Sequence, residues 1–548
     1  MTNRIIAGHF RELADLMELM EENPFKIRSY RNAYQKLRNY EGEVLSLSQE
    51  ELEGIPGIGK AISAKIIELK ESGTFAALER MRDLVPEGVA EMLKVKGLGP
   101  GRIGKLWRGL QIQSPGELLY ACEENRLLEL KGFGKKSQED IRNKVQYYLN
   151  QRGMFFYSEL EEPANRLVAF LQKKFPAVTT EFTGDLRRNV NTLSEIELLT
   201  TIGKDDLSSL NNEEMKIQKT GENQIHFLFE DQFPLTLYSI LENDWAAEQL
   251  LRTGPKAFLN DYLKGPEKYR IQSLDSEKNI FAELNKPFVL PEHRDWIEPD
   301  KATGIEKDEL VTEEKILGVV HAHSTYSDGA HSLKKMAEAT EERGFEYLVI
   351  TDHSAYASYA GGLSEARVRE QWREIDLLNQ KLAPFRIMKG IEADILPNGN
   401  MDYNAELLNE FEVVIASVHS VLNMDEKRAT GRLIRAIENP HTHLLGHPTG
   451  RLLLSRPGYP LNVEKITDAC AANGMAIELN ANPHRLDLDW SWIWNAQEKG
   501  IKFSINPDAH SIDGIGDIKH GVRAARKGGM YADSCLNTLG ANDFLKAI

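Results

Sequence analysis

Six short apolar runs in the second half of the chain end in side chains that can hold a metal ion, and no other feature limits the fold as strongly. The first, at 316–320, leads into HAHSTYSDG, which begins at His321. Histidines at i and i+2 on an extended segment project to one side, so His321 and His323 can share a cation. Asp328 follows in the turn. The run 347–350 ends in Asp352 and His353, 386–390 leads to Glu392, and 413–417 leads to His419. The runs 443–446 and 502–505 lead to His447 and to Asp508 with His510. Helix-length segments such as 333–343 and 365–381 intervene. Strand–helix alternation predicts a parallel sheet or barrel, whose functional groups sit at the C-terminal ends of the strands. One cleft would then receive His321, His323, Asp328, His353, Glu392, His419, His447, Asp508 and His510. A lone HxH pair is more often a surface or core pair; the recurrence is what makes this a metal site. Nine such groups exceed the needs of one ion and predict two or three.

Read together, HAHSTYSDG, TDHS, GIEADILPNG, ASVHS, GHPTGRLLL, ELNANPHRLDL and PDAH resemble the polymerase and histidinol phosphatase (PHP) domain, most closely the one attached to bacterial family X DNA polymerases. The resemblance covers 315–548 and implies a distorted (β/α)7 barrel with a three-metal site. It implies that His321, His323, Glu392 and Asp508 hold one ion, and that Glu392, His419 and His447 hold a second. Asp328, His353 and His510 would surround a third. Glu392, His419 and Asp508 would be the catalytic core of the set. Histidine-rich sites suit zinc and manganese better than magnesium, which stays a further candidate.

The 548-residue length allows several domains. Cys122, Cys470 and Cys535 form no CxxC pair, which argues against a disulfide framework and for a reducing, cytoplasmic setting. No run of eighteen apolar residues is present to span a membrane, and the charged, amphipathic start is unlike a signal peptide. The net charge of −16 argues against a nucleic-acid partner until its distribution is considered. Residues 1–150 carry 23 Lys+Arg against 22 Asp+Glu, whereas the rest carries 44 against 61. The acidic excess lies behind residue 150, where cations would need carboxylates, and the front can still present a basic face.

That front reads as helical, and one pattern occurs in it three times: GIPGIGKAISAKI, KVKGLGPGRIGKL and ELKGFGKKSQEDI. Each places Gly-x-Gly before a helix opening rich in Lys or Arg. The pairs are Gly57 with Gly59, Gly97 with Gly99, and Gly132 with Gly134. Both glycines of a pair are expected to admit a close approach of the backbone, and the free N–H groups of the following helix can meet a phosphate. Lys60, Lys105 and Lys135 add charge. A single Gly-x-Gly is as often a plain helix–helix turn. Three copies make the helix–hairpin–helix pattern, which grips nucleic-acid backbone without reading bases. The region also resembles the lyase and fingers domains of family X polymerases. The resemblance places the family's Schiff-base lysine at Lys65, although a solvated lysine near DNA phosphates would look the same.

The next segment resembles the family's palm and departs from it. In FTGDLRRNVNTLSEIELLTTIG, Gly184, Arg187 and Arg188 fit the family pattern, while Asp185 stands where Ser would touch the triphosphate. Glu195 and Glu197 take the places of two aspartates, Thr236 in FPLTLYSI takes the third, and TGPKAFLN is altered. Two-metal phosphoryl transfer holds its ions about 3.5–4 Å apart, so longer side chains and a missing carboxylate predict a palm that folds without catalysing.

The predicted organisation is multidomain. An all-α helix–hairpin–helix part comprises lyase-like 1–82 and fingers-like 83–150. An α+β nucleotidyltransferase-like palm spans 151–240, a thumb-like segment 241–292, an ordered-to-loose linker 293–314, and the barrel 315–548. The predicted function is a metal-dependent 3′→5′ DNA exonuclease of base-excision repair, extending to 3′-end or abasic-site processing. It would be a monomer acting on gapped, nicked or 3′-ended DNA regardless of sequence. The alternatives are an active gap-filling polymerase with a proofreading barrel, a small-molecule phosphatase of the histidinol-phosphate type, and a non-catalytic DNA-end binder.

Overall fold

In the computed structural model, which describes every residue except 151, 152, 266–270, 272 and 273, the three Gly-x-Gly repeats share one backbone conformation. Gly57, Gly97 and Gly132 have φ of 97°, 85° and 98°. Side chains rarely adopt that left-handed region, which is why glycine recurs there. The residue between the glycines (Ile58, Leu98, Phe133) is buried and pins each turn to the core. Gly59 and Gly99 then cap the helices Lys60–Ser72 and Pro100–Leu110. Gly134 precedes the helix Lys135–Asn150, and its carbonyl accepts from Gln138 N at 2.9 Å.

The two glycines of each pair differ in backbone conformation. Gly134, unlike Gly132, has no left-handed φ, and a Cβ added to it would meet nothing within 4 Å. Gly59 and Gly99 are the same in both respects. The turn therefore demands glycine at Gly57, Gly97 and Gly132 alone. At Gly59, Gly99 and Gly134 the missing side chain does no more than leave the start of the helix uncovered.

All three hairpins belong to the unit Met1–Leu149. Its core gathers Phe10, Leu37, Ile66, Phe75, Leu106 and Val145. The Asn23–Pro24 break starts the helix Pro24–Arg38: the Asn23 side chain accepts from Phe25 N at 2.9 Å, and Pro24 needs no donor there.

The second unit, Asn150–Ile548, begins with a small α+β layer. Strands β1 (Phe155–Phe156) and β3 (Thr192–Leu193) form an antiparallel pair. β2 (Thr180–Phe182), β4 (Ile196–Thr200), β5 (Met215–Thr220), β6 (Gln224–Phe229) and β7 (Phe233–Ser239) form a sheet of order β2-β4-β7-β6-β5. β4 and β7 run parallel with Glu197 opposite Thr236. The helix Tyr157–Lys174 covers the sheet through Leu160, Leu167 and Leu171.

Residues 293–314 lack the periodicity of a helix or strand, and the structure fixes them nonetheless. Short 3₁₀ turns at Pro299–Ala302 and Glu313–Lys315 are too brief to leave a sequence pattern. Arg294 is fully buried, and Leu310 bridges to Tyr531 of the barrel. Buried anchors at Arg294, Ala302 and Leu310 thus alternate with exposed stretches such as 306–309 and with Ile297, which is 99% exposed.

The barrel holds seven parallel strands in the order β14-β13-β12-β11-β10-β9-β8. They are β8 (Gly318–Ala322), β9 (Tyr347–Ile350), β10 (Arg386–Asp394), β11 (Val413–Ser417), β12 (Leu444–Leu445), β13 (Ala476–Asn480) and β14 (Phe503–Asn506). Between β14 and β8 the ring closes through the bridge Ala322–Ala509 and through Asn537, whose side-chain amide donates to Gly318 O and Ile505 O. Val320, Val349, Met388 and Ile415 fill the interior, with Phe544 of the last helix plugging it. A second apolar shell packs the flanking helices onto the strands.

Candidate metal centre

Each strand end delivers its polar residue to one buried cluster, but not by regular alternation. At β8 the register with β9 slips between Val320 and Ala322, and His321 takes φ 67° rather than an extended conformation. His447 (φ 22°) and Asp508 (φ 52°) are also in the positive-φ region. Such residues cost roughly 1–3 kcal/mol each and persist where their surroundings over-determine them. Here Ala509 N donates to His321 O, and His447 N donates to Glu478 Oε1 at 3.0 Å.

Glu392 lies at the centre. Its Oε1 is 2.9 Å from His447 Nε2, 3.1 Å from His419 Nε2 and 3.3 Å from His321 Nε2. Its Oε2 is 3.0 Å from His353 Nδ1 and 3.7 Å from His323 Nε2. Asp508 Oδ1 is 3.1 Å from His323 and 3.4 Å from His321. Asp328 Oδ2 is 3.4 Å from His353 and 3.5 Å from His510. All nine residues singled out from the sequence are thus brought together. Three groups have donor atoms within 4.8 Å of one another: His323–Asp328–His353–His510, His321–His323–Asp508, and His353–Glu392–His419. His323 and His353 each belong to two groups, whereas the family resemblance assigns each to one; His447 is in none of the three and meets the cluster with its Nε2 against Glu392 and its ring 5.2 Å from that of His419.

The electrostatics suit cations. Burial alone would raise Glu392, but His419, His321 and His353 hold it well below the usual carboxylate range. Burial likewise opposes ionisation of Asp328 and Asp508 and is outweighed by the histidines around them. Burial lowers His419, yet Glu392 and Asp394 bring it up to about 9. His321 Nε2, His323 Nδ1, His353 Nδ1 and Glu392 Oε2 are buried without hydrogen-bond geometry, facing donor atoms of their own kind of site. Buried polar atoms are nearly always hydrogen-bonded, so an unbonded set converging on shared space fits divalent metal binding.

Sequence patterning alone does not reach the carboxylates that orient these ligands. Glu478 accepts from His321 Nδ1 at 2.6 Å and from Asn506 Nδ2 at 2.7 Å. Asp394 lies 3.2 Å from His419 Nδ1. Asp352 accepts from Ser324 N at 2.8 Å and Gln371 Nε2 at 2.6 Å, fixing the HSTYSDG turn. A signal existed for Asp394, two residues beyond Glu392 and therefore on the same face of its strand. Glu478 sits on β13, a run that ends in Asn rather than in a ligand residue.

The palm differs. Among the described residues, every His/Cys/Asp/Glu group with metal-like spacing lies in the barrel. The Thr236 hydroxyl donates to Glu195 at 2.5 Å and lies 2.8 Å from His226 Nδ1. Tyr238 donates to Glu197 at 2.9 Å. Glu197 Oε2 lies 1.8 Å from where a Cβ on Gly184 would stand, so the carboxylate fills the glycine's cradle. Burial, then Glu195 and Asp185, push the Glu197 carboxyl up. Arg187 donates to Glu277 at 2.7 and 3.0 Å, and Arg188 to Asp295 at 3.1 Å and to Asp185. The altered TGPKAFLN begins at Thr253, whose carbonyl accepts from Arg188.

In the N-terminal unit Lys60, Lys105 and Lys135 are exposed, as are the hairpin glycines. Gly134 is exposed beside Lys135, and its backbone is committed to helix opening rather than to a special turn. Its place in a phosphate grip would therefore rest on the uncovered helix start, not on its conformation. Lys65 is half-buried, with Nζ 3.3 Å from Ala61 O and 5.8 Å from the Tyr30 ring.

Residues 1–75 match the family described as a helix-hairpin-helix domain, 89–146 a SAM-like helix-hairpin-helix tandem, and 320–482 the PHP domain. The DNA polymerase/3′-5′ exonuclease PolX of Bacillus subtilis is 34% identical over 560 residues, covering 97% of this chain and 97% of that protein. A probable phosphatase of Thermoanaerobacter sp. is 28% identical over 241 residues, 41% of this chain and 91% of its own length. One from Caldanaerobacter subterraneus is 26% identical over 243 residues, again 41% of this chain and 89% of its own. The phosphatase matches extend over less than half of the chain, whereas the Bacillus protein matches nearly all of it. The chain therefore belongs to the bacterial family X DNA polymerases that carry a PHP domain.

Proposed function

We propose that this protein is a metal-dependent phosphodiesterase that binds DNA and degrades it 3′→5′, with a palm that serves as scaffold. The observation that carries the reading is the contrast between its two centres. In the barrel, buried imidazoles and carboxylates converge with unbonded donor atoms. In the palm, both glutamates are tied to neighbouring hydroxyls and both arginines to carboxylates.

His321, His323, Glu392 and Asp508 would hold one ion, Glu392, His419 and His447 a second, and Asp328, His353 and His510 a third. Two to three manganese or zinc ions suit these donors, magnesium less well. Bound ions supply Lewis acidity to the scissile phosphodiester and its attacking water. The chain's own part is orientation. With Nδ1–H of His321 donating to Glu478 and that of His419 to Asp394, Nε2 of each ring would present its lone pair to the cleft. Asp352 fixes the turn that carries Asp328. The hairpins at Gly57 and Gly59, Gly97 and Gly99, and Gly132 and Gly134 would hold phosphates of gapped, nicked or 3′-ended DNA without reading sequence, with Lys60, Lys105 and Lys135 adding charge. The same centre could trim blocked 3′ ends or abasic sites in base-excision repair. A lyase step at Lys65 has weaker support, because its amine is bonded to a helix carbonyl. The protein would act as a monomer in the cytoplasm; no described helix is long and apolar enough to cross a membrane.

One observation favours a second reading, gap filling with a proofreading barrel: the Bacillus relative is named as both polymerase and exonuclease. An end-labelled gapped primer–template, incubated with manganese-loaded protein with and without nucleotides, decides between them. Shortening in both lanes supports the proposal; lengthening with nucleotides refutes it.

A further inference from the structure

Three large apolar side chains of 315–548 stand in solvent: Tyr356 is 45% exposed, Leu377 57% and Val421 44%. Leu377 lies on the helix Glu365–Leu382. The other two follow metal-site histidines, Tyr356 three residues beyond His353 and Val421 two beyond His419. They rise from the loops after β9 and β11, the two strands that flank β10 and its Glu392. His353, Glu392 and His419 form one of the three donor groups, and the two imidazole rings are 5.0 Å apart. The exposed pair thus stands at the mouth of that group.

Both loops are tied down. Val421 takes φ 54°, a conformation that β-branched residues rarely adopt. The buried Arg432 holds it there: its Nη1 donates to Ser420 O at 2.9 Å and to Val421 O at 3.4 Å, and its Nε to Leu396 O at 3.0 Å. Tyr356 N donates to Asp402 Oδ2 at 3.0 Å, and Asp402 N to Asp394 O at 3.1 Å. The Asp394 carboxylate in turn faces His419 Nδ1 at 3.2 Å. A strained backbone that leaves an apolar side chain in water gains nothing for the core, and such strain collects at ligand clamps. A tyrosine ring and a valine beside one metal group offer a flat face and a small aliphatic edge, which complement a nucleobase and its sugar.

We propose that Tyr356 and Val421 form the subsite for the 3′-terminal nucleoside of the strand being degraded, the ring stacking on its base and the valine closing against its deoxyribose. Stacking accepts any base, because every base has a π face. The subsite would hold the terminal phosphodiester over the His353–Glu392–His419 group. It would also separate a nucleic-acid end from a phosphate ester that carries no base. The inference rests on the reading of the barrel as a 3′→5′ exonuclease.

The test uses the full-length, manganese-loaded protein and two 5′-labelled oligothymidylates, one with a 3′-terminal thymidine and one with a 3′-terminal tetrahydrofuran abasic residue. Removal of the first residue is timed over a range of DNA concentrations. The unmodified protein should show a KM about tenfold lower for the thymidine end, with similar kcat. Tyr356→Ala and Val421→Gly should each reduce that ratio, and together bring it near one. Glycine takes the left-handed conformation of Val421 without strain, so the loop keeps its path. Tyr356→Phe, which keeps the ring, should keep the ratio. Elemental analysis should find as many ions in each variant as in the unmodified protein. Equal KM for the two ends in the unmodified protein overturns the proposal, as does a ratio that survives the double change. Loss of ions, or equal slowing on both ends, also overturns it and makes the loops supports of His353 and His419 only. If the unmodified protein removes neither end, the exonuclease reading falls, and the subsite with it.

Discussion

Replacing Glu277 by Gln tests whether the palm's arginines have become structural. Glu277 accepts from Arg187 at 2.7 and 3.0 Å and from Arg294 at 2.8 Å. Burial alone would raise its carboxyl; Arg294 and Arg187 outweigh that and hold it down to about 2, against an ordinary 4.5. That displacement corresponds to about 3 kcal/mol at neutral pH. Removing one member of a buried pair costs about 3–5 kcal/mol by an independent route, because Arg294 is left buried and uncompensated. Burial lowers Arg294 as well, yet a guanidinium stays protonated across any usable pH, so the carboxylate alone carries the pH dependence. Its folded-state value lies below the unfolded one, so the stabilisation is complete above pH 4.5 and is lost as pH falls toward about 2. A cooperative unit of about 400 residues has an unfolding entropy near 0.8 kcal/mol/K, so 3–4 kcal/mol lowers Tm by about 4–5 °C. Thermal melts followed by circular dichroism at pH 7 measure this. A shift under 1 °C, or exonuclease activity lost in parallel with an unchanged Tm, refutes the clamp. Were the arginines instead free to hold a triphosphate, Glu277→Gln would raise nucleotide affinity with little loss of stability.

Glu392→Ala should empty more of the metal centre than any other single change, since both oxygens of this carboxylate face histidines of different groups; elemental analysis should find at least one ion per chain fewer than in unmodified protein. Gly99→Val should weaken DNA binding on every sequence without altering Tm, because an added side chain there meets nothing within 4 Å of its Cβ and can only obstruct an approaching phosphate. His520 is buried and pushed down to about 3, by burial first and then by Arg523 and Lys519. Its folded value is below the unfolded one, so stability falls as pH drops below 6.5, by about 2 kcal/mol at pH 5; His520→Gln should flatten that part of a Tm–pH profile.

The strand ends were legible because each apolar run stops at a residue type unusual in a core, and parallel strands must deliver such residues to one rim. The hairpins were legible because left-handed turns select glycine at Gly57, Gly97 and Gly132. Gly134 and its counterparts Gly59 and Gly99 look equivalent in the sequence, and only the backbone angles separate them from the turn glycines. What else the sequence hid was non-local. Glu478 and Asp394 act through histidines 157 and 25 positions away. Asn537 closes the ring from 219 residues beyond Gly318. The 293–314 segment shows no periodicity in the sequence because 3₁₀ turns carry no repeating pattern, and Arg294 is held by Glu277 and the Val289 carbonyl rather than by apolar spacing. A regular extended segment was the expectation at His321; the register slip at β8 turns its backbone left-handed instead. The palm's substitutions were visible in the sequence. That Thr236 and Tyr238 hydrogen-bond to the two glutamates needed the pairing of β4 with β7.

The most direct measurement compares three proteins on one end-labelled gapped primer–template with manganese and nucleotides: unmodified, Asp508→Ala, and Glu195→Ala with Glu197→Ala. The account predicts that the unmodified protein and the palm double variant shorten the primer at the same rate. Asp508→Ala should bind the DNA and leave it intact, and no lane should show extension. Extension by the unmodified protein that the palm double variant abolishes would contradict the account and make the palm an active centre.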